Sequence, residues 1–88
     1  QAYALEISGD SMEPVYRDGD TVIVSPEANI RRGDRVVVKT KSGEVMVKLL
    51  VRQTTHKVDL KSLNPNHEDR SLDVEDVEWI ARVVWANQ

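Results

Sequence analysis

The sequence contains no cysteine, which excludes disulfides, a thiolate nucleophile and thiolate metal sites and suits a reducing cytoplasm. It has no phenylalanine, two tryptophans and two tyrosines. A core must therefore come chiefly from the fourteen valines with leucine and isoleucine. Branching at Cβ suits valine to a pleated sheet and costs it rotamer freedom in a helix, so the composition favours strands. No apolar stretch approaches the roughly 18 residues of a membrane-spanning helix, and no signal peptide is visible. The expectation is a cytoplasmic chain with no membrane partner. Basic residues do not gather into a face: 12 Lys and Arg stand against 15 Asp and Glu, for a net charge of −3. Beyond Arg31-Arg32 there is no basic run, and such a domain does not grip a phosphate backbone on its own.

What is present fits one small domain over residues 1–88, opening at Gln1 without an initiator methionine, as a piece of a longer protein does. Tyr3, Leu5 and Ile7 alternate with Ala4, Glu6 and Ser8, the period of a half-buried strand that ends at Gly9-Asp10. Thr21-Val22-Ile23-Val24 reads as a buried strand after the turn Asp18-Gly19-Asp20. Arg35 to Thr40 and Glu44 to Val51 flank Lys41-Ser42-Gly43 as a hairpin. Lys57 to Lys61 alternates as a strand with one wet face. Asn64 to Ser71 reads as a polar loop, and Glu78 to Trp85 as the last strand. Helix signals amount to a turn or two near Glu27-Ala28-Asn29. The fold class expected is all-β.

Two residues carry the chemistry. Ser11 lies in Gly9-Asp10-Ser11-Met12-Glu13-Pro14, between a glycine turn and a proline, so its backbone rather than a strand ladder places it. Lys48 lies in Val45-Met46-Val47-Lys48-Leu49-Leu50-Val51, a cation in an apolar run. In a strand it shares its face with Met46 and Leu50, and no acidic residue of its own strand is closer than Glu44. A serine hydroxyl needs a base, and lysine, with an ordinary pKa of about 10.4, serves only where burial disfavours its charged form. Taken alone, Lys48 also reads as an edge-strand lysine reaching to water.

Together, Ile7 to Pro14, Asp18-Gly19-Asp20, Arg32-Gly33-Asp34 followed by valines, and Val45-Met46-Val47-Lys48 resemble the C-terminal peptidase domain of LexA-like self-cleaving repressors. That resemblance covers most of the chain. It implies a highly twisted all-β fold, Ser11 as nucleophile, Lys48 as general base, and an oxyanion site from the backbone N–H groups of Asp10 and Ser11. It implies a homodimer without cofactor or metal, an activating protein partner, and the chain's own upstream segment as substrate. DNA is then met only through an N-terminal domain outside this sequence. Asp18, Asp20 and Asp34 match the family's turns as loop acceptors. The Ala-Gly or Cys-Gly at which the family is cut does not occur in these 88 residues.

Other readings compete. Type I signal peptidases share the Ser-Met-x-Pro stretch and the lysine base, but are membrane enzymes. A dimerisation and sensing module with a vestigial dyad has the same sequence signature. A Ser-His-Asp site would need His56 or His67, both in polar loop sequence, and His67-Glu68-Asp69 is too contiguous to converge on a metal. Trp79, Ala81, Val83 and Trp85 share one parity, which fits a strand that is half core and half interface.

Overall fold

The valine-rich stretches become seven strands: β1 (Tyr3–Glu6), β2 (Thr21–Ser25), β3 (Arg35–Thr40), β4 (Val45–Gln53), β5 (Lys57–Lys61), β6 (Arg70–Asp73) and β7 (Val77–Asn87). This computed structural model describes residues 1–87. All seven pair antiparallel in one sheet of order β1-β2-β7-β3-β4-β5-β6. The all-β expectation holds, with a single 3-10 turn among the described residues, at Val74–Asp76. No helix among the described residues is long and apolar enough to cross a membrane.

Burial follows strand alternation until the middle of the sheet, where both faces are covered. Val36, Val37 and Val38 are all fully buried. Val37 joins Ile7, Tyr16, Val22, Val24, Val47 and Ala81 in one apolar cluster. Val36 and Val38 join Met46, Leu50, Val58 and Leu60 in the other. A central strand covered on both faces reads as a continuous valine run rather than an alternating one. Leu60 is 1% exposed, so Leu60→Ala is expected to cost about 2–5 kcal/mol of unfolding free energy, measured by denaturant titration.

The hairpin between β3 and β4 forms as its sequence predicts. Gly43 has φ +94°, a conformation that side chains resist, and its N–H donates to the Thr40 carbonyl at 3.0 Å. One reading of the sequence is corrected: Arg70 and Ser71 are not loop. They open β6, which pairs with β5 through Leu60↔Arg70 and Asp59↔Ser71. The pairing hides from a local reading because β6 is short and exposes polar side chains at a sheet edge.

Candidate active site

The first strand delivers Ser11 as its alternation suggests, and the turn that follows is fixed by named bonds. Gly9 has φ +80°, and its N–H donates to Asp18 Oδ1 at 2.9 Å. The Ile7 N–H donates to the Asp20 carbonyl and the Gly19 N–H to the Ile7 carbonyl, both at 2.8 Å. Glu13 N–H closes on the Asp10 carbonyl at 3.1 Å, and Tyr16 N–H on Met12 at 2.9 Å. Those bonds engage the carbonyl of Asp10 and leave the N–H groups of Asp10 and Ser11 out of them. Beyond the turn, buried Tyr16 is capped by Arg35, whose guanidinium carbon lies 5.6 Å from the ring centroid. Asp20 and Asp34 accept the N–H groups of Arg17 and Arg31 at 2.8 Å, the loop-holding role that their turns predict.

Lys48 occupies β4 opposite Val36. It is only 9% exposed. Its same-face neighbours Met46 and Leu50 belong to the second apolar cluster, and none of the ion pairs among the described residues involves it. Burial pushes the Lys48 amine below the ordinary lysine value. The Arg70 cation adds to that push, and the Asp69 and Glu44 carboxylates oppose it.

Two features seat the serine turn on the lysine strand. Met12 packs against the cluster that contains Val47, the residue before Lys48. Met12, Ser8, Val45, Met46 and Val47 line a largely apolar cleft of about 220 Å³ that runs back along Leu5 to Ile7. On the other side, the segment after β5 forms a strap. Buried Asn64 donates from Nδ2 to the Asp10 carbonyl at 3.0 Å, and Ser62 N–H donates to Asp69 Oδ1 at 2.8 Å. The register Leu49↔Lys61 carries this strap past Lys48.

The hydroxyl of half-buried Ser11 donates to Met12 Sδ at 2.6 Å, rather than to Lys48. His56 and His67 are both exposed on turns. Sequence reasoning missed Ser62, Asn64, Asp69 and Arg70. Asn64-Pro65-Asn66 announces a turn, but nothing local announces that Asn64 reaches a carbonyl 54 positions back.

Comparison with known proteins gives the family. The family model described as Peptidase S24-like matches residues 1–84. Repressor protein CI of Enterobacteria phage phi80 is 39% identical over 79 residues, covering 89% of this chain and 33% of the relative. Prophage repressor CohE of Escherichia coli K12 is 42% identical over 65 residues, 73% of this chain and 29% of the relative. The LexA repressor of Geobacillus thermodenitrificans is 40% identical over 57 residues, 64% and 28% respectively. The chain thus spans about a third of the length of these relatives. With a serine turn seated on a buried-lysine strand and a match running through nearly its whole length, the chain belongs to the Peptidase S24-like family.

Proposed function

We propose that this chain is the C-terminal peptidase and dimerisation domain of a repressor, which cuts a peptide bond in an upstream segment of its own chain. The observation that carries the reading is the burial of Lys48 without an ion-pair partner among the described residues. A neutral amine there accepts the Ser11 proton once the hydroxyl turns from the Met12 sulfur, and Oγ adds to the scissile carbonyl. Negative charge on the former carbonyl oxygen is met by the N–H groups of Asp10 and Ser11. As the carbon–nitrogen bond breaks, Lys48 returns the proton to the leaving amine. Water then adds to the acyl-serine as Lys48 takes its proton, and Lys48 passes that proton to Ser11 Oγ as the ester bond breaks. The cleft beside Met12 and Val47 suits apolar side chains of the segment being cut.

Incubation of a longer chain carrying the upstream segment, with fragment masses read over time, tests the proposal. A single cut ahead of Ser11 is expected. An intact chain at alkaline pH, where Lys48 is neutral, overturns it in favour of a non-cleaving dimerisation and sensing module. The Ser11–Met12 contact is the one observation that favours that second reading.

For dimerisation, the support is at the end of β7. Val84 is 46% and Trp85 is 55% exposed, and the register Ala4↔Ile23 and Ile23↔Trp85 places Trp85 on the face of β2 that Ala4 shares. Trp79 and Val83 instead pack on the first cluster; the register shift between Ile23 and Val24 interrupts the parity these residues share in the sequence and turns Trp85 to the other face of the sheet. Trp85→Glu is expected to weaken self-association about thirtyfold, read by sedimentation equilibrium, as loss of a buried aromatic anchor does. In this reading, operator DNA is contacted by a separate upstream domain, and an activating protein partner triggers the cut.

A further inference from the structure

The ion pair between Arg70 and Glu44 is two-pronged: Nη1 lies 2.8 Å from Oε2 and Nη2 lies 3.1 Å from Oε1. Such a fork fixes both partners where a single contact between flexible chains does not. Glu44 is also held through its backbone, its carbonyl accepting from the Thr40 N–H at 2.9 Å and its N–H donating to Thr40 Oγ1 at 3.1 Å. Along the extended chain, Glu44, Met46, Lys48 and Leu50 share one parity. Across the sheet, Leu50↔Leu60 and Leu60↔Arg70 place Arg70 on the same face.

The charged groups facing Lys48 are Glu44 from the turn that leads into its strand, and Asp69 and Arg70 from the far side; β3 brings the uncharged Val36. Both carboxylates are engaged elsewhere. Asp69 accepts the Ser62 N–H, and Glu44 is taken by Arg70, which holds its carboxyl below the usual range.

We infer that Arg70 is a positioning residue for the Lys48 base: its forked hold on Glu44 keeps that carboxylate from pairing with the amine. The inference rests on the Ser11–Lys48 reading and deepens it. Releasing Glu44 gives the ammonium a carboxylate from the turn that leads into its strand, and the charged form gains. Losing the Arg70 cation acts in the same direction. The clamp adds to the repulsion because a carboxylate released toward the ammonium stabilises its charged form.

The test follows the ¹³Cε shift of Lys48 against pH by NMR in the chain itself, with Arg70→Gln, Glu44→Gln and the double variant. The pair is half-exposed, 38% for Arg70 and 49% for Glu44, so all three variants are expected to fold. Arg70→Gln is expected to raise the Lys48 midpoint, and to raise it less when Glu44 is already Gln, a non-additivity that marks coupling through the carboxylate. In a longer, cleavable chain, Arg70→Gln is expected to slow the cut severalfold at neutral pH and leave the alkaline plateau unchanged. An unmoved midpoint overturns the inference, as does an equal rise in both backgrounds, while leaving the dyad intact. If the midpoint moves as expected but cleavage persists without Lys48, the dyad falls and the clamp stands.

Discussion

Ser11→Ala in a cleavable chain is expected to lower the rate of self-cleavage by on the order of 10³-fold or more, measured by loss of the intact chain under identical conditions. Lys48→Met is expected to fall by a comparable factor, and the double variant to fall little further. Groups that act as one unit do not contribute additively, so the second loss removes what the first has already disabled. Methionine keeps an unbranched stem beside Met46 and Leu50, where alanine would leave a void in the second apolar cluster. The Ser11 hydroxyl's bond is to a neighbouring sulfur, so its removal is expected to leave the unfolding midpoint almost unchanged. Cleavage by Lys48→Met at the normal rate would remove lysine from the mechanism.

Self-cleavage is also expected to accelerate as pH rises, by close to tenfold per pH unit, until Lys48 is mostly neutral, and then to level off. The sign follows from which form is active. Only the uncharged amine accepts a proton, and burial brings its formation to lower pH than for an ordinary lysine. A bell or a fall between about pH 6 and 10 would point to a histidine instead. Stability should move with the same group. Its folded pKa lies below its unfolded one, so the unfolded chain holds more protons between the two, and folding gains as pH rises through that window.

Much of this architecture is legible in the residues themselves, because strand alternation and turn chemistry are local. Gly43 at a hairpin tip, the branched run of β2 and the aspartates that hold the turns each declare themselves within a few positions. The setting of Lys48 is half legible: its apolar strand neighbours are in the sequence, but Val36 opposite it is fixed only by pairing. The rest of the site is not local at all. Asn64 on the Asp10 carbonyl and Arg70 on Glu44 are contacts between segments 54 and 26 positions apart. Polar side chains that read as solvated loop find partners because the pairing of β4, β5 and β6 brings the segment between β5 and β6 alongside the lysine strand.

The position of β7 has a consequence for how the domain comes into being. Last of the described strands in sequence order, it lies between β2 and β3 and is the only ladder between them among the described residues. The strand that leads to Ser11 lies on one side of that seam, and the strand that carries Lys48 on the other. Pairings of such long sequence separation are the slow step in folding β proteins, since loop-closure entropy is spent before contacts return it. During synthesis the ladder between the two halves therefore waits for residues 77–87, and the strand that leads to Ser11 and the strand that carries Lys48 belong to one sheet only once it forms.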